Sequence, residues 1–274
     1  MMKDEVKVSV ITVCWNCASE IEKTIQSVIS QTYSNVEYII VDGASKDGTL
    51  DIINQYRDKI SILISEPDKG IYNAMNKGVK VATGQWCIFM NAGDVFASDE
   101  VISYMFRDHS PKPTTKVYYG NTTFVNEQQE KCSRYAQPVY PTILRCQPYC
   151  HQSAFFNIES KFSPFFNEKY RIVSDYNTSL RYFAEFGASS FEYVDVLVSE
   201  FAAFGGASTL ESNNQKKSLE FLDVWKNYKI CRKRYLIERF KYFIIYEQPI
   251  GFLKVMLEKY SSKRTESHYR RTSI

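Results

Sequence analysis

Four aspartates stand where an acidic side chain has chemistry to offer. Asp94 closes Asn91-Ala92-Gly93-Asp94, directly after the apolar run Trp86–Met90. Asp42 opens the loop Asp42–Gly48 after the β-branched run Val36–Val41, and Asp68 lies in Glu66-Pro67-Asp68-Lys69-Gly70 after Ile60–Ser65. Asp175 sits at the head of a helical pattern, in Val173-Ser174-Asp175-Tyr176. A carboxylate accepts hydrogen bonds only, so Asp42 suits a uracil N3–H or a ribose hydroxyl. It equally suits an Asx turn ahead of Gly43. Asp94 is the metal candidate: hard cations such as Mg2+ or Mn2+ are held by one or two carboxylates plus substrate phosphates. Asp175 has the chemistry of a general base toward an attacking hydroxyl, or of a first-turn acid that only serves its helix. Asp68, Asn73 and Asn76 could line a base or sugar, and Lys77 could face phosphate; an N-capped surface helix explains the same residues. His151-Gln152 forms a further polar cluster, with a satisfied structural histidine as its plainer explanation.

The elements that must position these residues alternate. Val6–Val13, Val36–Val41, Ile60–Ser65 and Trp86–Met90 read as buried strands. Between them, Ser19–Gln31, Thr49–Tyr56 and Ile71–Val81 carry helical spacing. That order predicts a parallel, doubly wound sheet, with ligands at the carboxyl ends of its strands. Further along, 99–108 reads as a helix, Thr115–Cys132 as hairpin strands, Val173–Phe186 as a helix and Phe191–Val198 as a strand. Gly205-Gly206 marks a turn. No G-x-x-x-x-G-K-[ST] loop is present, and Thr12-Val13-Cys14-Trp15-Asn16 replaces the glycine fingerprint after the first strand. Thr12 and Asn16 instead offer hydroxyl and amide groups to a base or ribose.

The bulk numbers bound the class. A chain of 274 residues with 15% aromatic content can bury a large α/β core. The net charge of +3 conceals a division. From Glu211 onward 15 Lys and Arg face 7 Asp and Glu, a net of +8, and the remainder is −5. Seven cysteines at irregular spacing make no disulfide framework, which fits a reducing cytosol. Cys14-Trp-Asn-Cys17 finds no second pair to close a zinc site, and small buried thiols are the simpler account. The opening residues lack a secretory pattern, and no apolar run approaches the roughly 20 residues of a spanning helix.

Taken together, these stretches resemble the family 2 inverting glycosyltransferases of the GT-A fold. The resemblance is carried by Val8–Asn16, Ser27–Tyr33, Glu37–Thr49, Ser65–Gly78 and Ala82-Thr-Gly through Asp94. It implies a GT-A (Rossmann-like), mostly parallel sheet flanked by helices. Within it, 1–94 would bind the nucleotide sugar and 95–210 the acceptor, and 211–274 would form a helical, basic extension. It further implies that Thr12, Asn16 and Asp42 hold the nucleoside with Asp68 and Asn76 nearby. Asp94 would be the last acid of a D-x-D-type motif whose first acid has become Asn91 or Ala92. Asp175 would be the base, with Ser174-Asp175 in place of a Glu-Asp pair. Relatives that build bacterial surface polysaccharides share His151-Gln152 and Gly205-Gly206-Ala207-Ser208, which places His151 and Gln152 on the acceptor side. A UDP-sugar donor and a lipid-linked glycan acceptor are family expectations. The Gln-x-x-Arg-Trp motif of processive members is absent, implying one addition per encounter.

The stretch Trp225–Tyr246 mixes cations with large aromatics. An interfacial helix on the inner face of an anionic membrane fits this composition and a lipid-linked acceptor. A helix packed on the body with a solvated basic face is the alternative. Nucleic acid is disfavoured because no recognition module accompanies the charge. Two rival functions stand beside glycosyl transfer: a sugar nucleotidyltransferase, which would need a Gly- and Arg-rich first loop, and a silent nucleotide-sugar- or membrane-binding scaffold.

Overall fold

The computed structural model describes residues 6–159, 162–202 and 211–242. The expected Gly205–Ser208 turn, and the part of the expected helical extension from Phe243 to Ile274, lie outside these residues. The chain divides into two compact units between Asn213 and Asn214.

In the first unit the strands are β1 (Val8–Cys14), β2 (Val36–Asp42), β3 (Ile62–Ser65), β4 (Trp86–Phe89), β5 (Val95–Phe96), β6 (Val117–Val125), β7 (Lys131–Arg134), β8 (Ala154–Asn157) and β9 (Phe191–Ala202). Its helices are α1 (Ile21–Ile29), α2 (Thr49–Gln55), α3 (Ile71–Val81), α4 (Val101–Ser103), α5 (Val139–Thr142) and α6 (Ser174–Phe186). The sheet runs β3-β2-β1-β4-β8-β6-β9-β5, with β7 hairpinned onto β6. β3, β2, β1 and β4 are mutually parallel, as the alternating pattern predicts. β8 then enters antiparallel between β4 and β6, while β6 and β9 pair in parallel.

The β-branched strands have side chains for both faces because helices cover both. Val8 and Val10 join Ile21, Ile25 and Val28 of α1 in one buried cluster. On the opposite face α3 approaches β1 closely: a Cβ at Gly78 would stand 2.5 Å from Ile11 Cγ2. Register aligns the strand ends that matter, with Cys14 opposite Asp42 and Asp42 opposite Ser65.

Three elements differ from the sequence pattern. The expected 99–108 helix is only α4, followed by a wider winding over Tyr104–Asp108 that closes with His109 N–H on Tyr104 O at 2.9 Å. β5 and β8 span only two and four residues, too short for periodicity to reveal. The second unit holds α7 (Asn214–Asn227) and α8 (Arg232–Tyr242), separated by a tight turn at Lys229–Cys231.

Candidate active site

The loop Asn91–Asp94 leaves β4 held on three sides. Ala92 N–H bonds Val13 O at 3.2 Å, which ties the loop to the end of β1. Asp94 N–H returns to Asn91 O at 2.9 Å to close a turn. Gly93 takes φ +100°, a conformation that glycine adopts without the Cβ penalty. Its N–H bonds the Thr24 hydroxyl of α1 at 3.0 Å, and that hydroxyl donates to Asp94 O at 2.8 Å.

This backbone fixes the Asp94 side chain, which is buried at 3% exposure. Ala202 N–H donates to Oδ1 at 3.1 Å, and Gln152 Nε2 to Oδ2 at 3.0 Å. The Cys150 thiol donates to Gln152 Oε1 at 2.8 Å, so the amide is oriented with its NH2 toward Asp94. Burial pushes the Asp94 carboxyl up to about 6; the Ala202 N–H, Gln152, His151 and Lys23 oppose that rise. Each bonded carboxylate oxygen keeps a further acceptor site.

On the same loop, the side-chain oxygen of Asn91, Oδ1, is buried and has no hydrogen-bond partner. An unpartnered buried acceptor is costly and calls for a donor or a cation. Asn91 Oδ1 and the Asp94 carboxylate, three residues apart on one loop, are hard-oxygen donors of the kind that suit a small divalent cation. Among the described residues no cluster of three or more His, Cys, Asp or Glu side chains forms a metal cage. The oxygen donors among the described residues leave coordination positions open and fit a cation that also takes phosphate oxygens.

His151 and Asp175 face this pair. His151 lies in a single turn, His151–Ser153, at the entry to β8. Its Nδ1 is 3.4 Å from Asp175 Oδ2, and its Nε2 is 3.5 Å from Asn91 Nδ2. Asp175 occupies the first turn of α6, where free backbone N–H groups favour an anion. Tyr176 N–H bonds its Oδ1 at 2.8 Å, and the Tyr72 hydroxyl lies 3.3 Å from the same oxygen. Burial works to raise the Asp175 carboxyl, but His151, Tyr176 N–H and Tyr72 outweigh it and hold the group below its ordinary value.

The remaining sequence-selected residues are placed differently. Thr12 is fully buried within β1, with its hydroxyl 3.2 Å from Tyr38 Oη, so it does not reach the loop surface expected of a nucleoside contact. Asp42 is also fully buried and forms the Asx arrangement: Ser45 N–H and Oγ and the Ser65 hydroxyl all donate to it. Asn16 is exposed at φ +48°, and its side-chain oxygen accepts from Lys46 N–H at 2.9 Å. Asp68 is half-buried and accepts from Gly70 N–H at 2.7 Å. Asn76 bonds Phe166 N–H, Phe166 O and Glu168, and Asn73 reaches the same Glu168. The polar face of α3 thus stitches down the segment leading into Asp175 instead of standing open for a base or sugar. Lys77 is engaged by Glu66 at 2.8 Å and by Pro67 O at 2.8 Å.

Two residues of this site were not singled out from the sequence. Tyr72 steadies Asp175, as described. Trp15 is 66% exposed and packs where Gly43 lacks a side chain: a Cβ there would meet Asp68 Oδ2 at 2.5 Å and Trp15 Cδ1 at 3.2 Å. The signal was available, since a tryptophan between a buried strand and the polar turn Asn16–Glu20 has no core to enter.

Comparison with known proteins gives the family and the fold. The sequence profile described as Glycosyl transferase family 2 matches residues 9–174, more than half of the chain. The chain is 28% identical over 208 residues to the PGL/p-HBAD biosynthesis glycosyltransferase of Mycobacterium bovis, covering 73% of this chain and 78% of that protein. It is 34% identical over 122 residues to the Escherichia coli UDP-Glc:alpha-D-GlcNAc-diphosphoundecaprenol beta-1,3-glucosyltransferase WfaP, covering 44% of this chain and 47% of that protein. Among solved structures, a mannosyltransferase from Pyrobaculum calidifontis in complex with GDP-Man and Mn2+ shares the fold. Its TM-score is 0.62 at 15% identity, over 95% of this chain and 76% of that one. The profile begins at the second residue of β1 and ends at the first residue of α6, so it takes in both the Asn91–Asp94 loop and His151: the chain belongs to glycosyl transferase family 2.

Proposed function

We propose that the protein moves one sugar from a nucleoside diphosphate sugar, a UDP-sugar in our reading, to a hydroxyl of a lipid-linked glycan, with inversion at C1, in surface polysaccharide synthesis. The observation that carries this is the convergence of three separate segments: Asp175 of α6 meets His151, His151 meets Asn91, and Gln152 bonds Asp94 of the same loop. A base and a hard-oxygen pair side by side are what displacement of a diphosphate by a hydroxyl requires.

Asp175 is the base. It is ionised at neutral pH, has Oδ2 directed at His151, and takes the proton of the acceptor hydroxyl as that oxygen bonds to C1. His151 holds the carboxylate in place and takes up part of its charge. Asp94 and Asn91 would hold the Mg2+ or Mn2+ ion. A bound cation supplies Lewis-acid neutralisation of the charge that builds on the leaving diphosphate. Trp15 offers a flat face to the base, and Asp68 and Asn16 offer acceptors beside it. The buried Asp42 supports the loop through Ser45 and Ser65 instead of touching the donor itself. The lipid-linked acceptor is favoured by the name of the WfaP relative and by the basic, aromatic composition after residue 210, which suits an enzyme at the inner face of the cytoplasmic membrane. Among the described residues no helix is long and apolar enough to cross a membrane.

The deciding experiment compares Asp175→Asn with the wild type. Transfer should fall by about 100-fold or more, with donor binding retained. Full transfer by this variant, with the fold intact by circular dichroism, removes the proposed mechanism and leaves the silent scaffold as the better account.

A further inference from the structure

α8 presents its apolar side outward. Among the described residues eleven large hydrophobic side chains are exposed, and five of them fall in the short second unit: Leu219, Ile230, Leu236, Ile237 and Phe240. Along α8 the exposed positions are Arg232, Lys233, Leu236, Ile237 and Phe240. The i, i+4, i+8 spacing, with its neighbours at i+1 and i+5, puts all five on one stripe of the helix. The other side of the helix carries its own contacts. Arg234 lies over the Trp225 ring at 5.4 Å and pairs with Glu238 at 3.0 Å, and Tyr242 is buried.

A helix that packs against a protein partner through one face ordinarily turns polar residues to water. Here three neighbouring positions carry 60%, 44% and 66% exposed Leu236, Ile237 and Phe240, headed by two cations. What covers them must be apolar within and negative at its edge. Residues 214–242 hold nine Lys and Arg against three Asp and Glu, a net of +6. Residues 243–274 hold six Lys and Arg against three Asp and Glu, so that segment carries the same sign, as does the same face of a second copy meeting it two-fold. An anionic bilayer surface meets both requirements, because phosphate head groups lie directly above acyl chains.

We propose that the Leu236–Ile237–Phe240 face of α8, with Arg232 and Lys233 beside it, is a docking surface for an anionic phospholipid membrane. The proposal names the residues and the lipid class of the membrane contact in the preceding section and rests on that reading for its purpose. Its vesicle-binding test needs neither donor nor acceptor.

The test is co-flotation of the full-length protein with vesicles of phosphatidylcholine alone or mixed with phosphatidylglycerol. The wild type should float with the anionic vesicles, release at high salt and leave neutral vesicles largely unbound. The triple variant Leu236→Ser, Ile237→Ser, Phe240→Ser changes no charge and should lose vesicle affinity by about tenfold or more. Arg232→Gln with Lys233→Gln should lose roughly tenfold on anionic vesicles only. If the triple variant floats as the wild type does, the face is not the membrane contact and the proposal fails. It also fails if the wild type is a dimer by light scattering and the triple variant a monomer with unchanged vesicle binding, since the face then belongs to a second copy. Transfer to a water-soluble acceptor separates this outcome from the enzymatic reading. The triple variant should retain it, and loss of flotation with transfer intact concerns the membrane surface alone.

Discussion

His151 Nδ1 stands 3.4 Å from Asp175 Oδ2, and the other ring nitrogen faces Asn91 at 3.5 Å. One imidazole therefore spans the distance from the proposed base on α6 to the loop after β4. The contact has an electrostatic consequence. Burial alone would raise the Asp175 carboxyl, and His151 is the foremost of the groups that reverse this.

Removing the ring should move the base toward its desolvated state. In His151→Ala the acid limb of the kcat/KM profile, taken at saturating metal, should shift to higher pH, with kcat at neutral pH reduced by about 10- to 100-fold. A depressed carboxylate contributes stability above its unfolded pKa and loses it as pH falls through the folded one. The variant should therefore also lose less stability than the wild type on acidification. An unshifted limb would show that His151 does not tune Asp175.

Asp94 should behave with the opposite sign. Its folded value of about 6 lies above the ordinary 3.8, so its stability term is full below pH 3.8 and is lost as pH rises through 6. In metal-free solution at pH 8 the buried charge costs roughly 3 kcal/mol by its shift. Asp94→Asn should thus melt higher than the wild type at pH 8 in chelator and match it near pH 4. Adding Mn2+ should raise the wild-type melting temperature at pH 8 and leave the variant's unchanged. Equal wild-type and variant melts at pH 8 would contradict the burial argument.

The first half of the fold was legible because its strands are β-branched and its loops polar, so period and punctuation agree from Val8 to Asp94. β8 was not legible: four residues, Ala154–Asn157, carry no period, and only tertiary pairing with β4 and β6 makes them a strand. The same limit applies to the site. Residue type marked Asp94, Asp175, His151 and Gln152, and the structure brings them together. Thr12 and Asp42 have the right chemistry at the right strand ends but point their groups into the protein, toward Tyr38 and toward Ser45 and Ser65. Asn76 has an amide suited to a sugar and spends it on Phe166 and Glu168. Direction of a side chain at a strand or helix end depends on partners far away in sequence, and a pattern of types does not contain them.

Gly43 offers a test of the donor pocket that avoids touching an acid. A methyl group there would stand 2.5 Å from Asp68 Oδ2 and 3.2 Å from Trp15 Cδ1. Because the other Asp68 oxygen is held by Gly70 N–H, the carboxylate must swing away or Trp15 must lift. Gly43→Ala should fold normally and bind UDP about tenfold more weakly, a loss near 1.4 kcal/mol, followed through Trp15 fluorescence in a titration. Unchanged affinity would take the nucleoside away from this corner.

The Cys14 and Cys17 thiols share a hydrogen bond and differ in environment. The bond to Cys17, burial and nearby Asp42 all raise Cys14. Cys17 is lowered, first by accepting from Cys14 and further by the Thr49 hydroxyl, against its own desolvation. The thiolate is the nucleophile, so limiting iodoacetamide should modify half-exposed Cys17 well before buried Cys14. Peptide mass spectrometry over a time course reads the order directly, and Cys14 reacting first would reverse the assignment.

Substitution at Asn91 separates a structural amide from a ligand. Its buried, unpartnered oxygen costs about 1–3 kcal/mol of unrecovered desolvation in the absence of a ligand. Asn91→Asp places a second carboxylate beside buried Asp94, and like charges in one site disfavour ionisation of both. The metal-free variant should therefore lose about 1–3 kcal/mol of stability at pH 8 and recover it on adding Mn2+. Its Mn2+ affinity without donor, read as loss of the free-ion electron paramagnetic resonance signal, should exceed the wild type's by about tenfold or more. Asn91→Ala should do the reverse, keeping or gaining stability while weakening the cation. If all three proteins bind Mn2+ alike, Asn91 Oδ1 does not face the cation and Asp94 must hold it with the diphosphate alone.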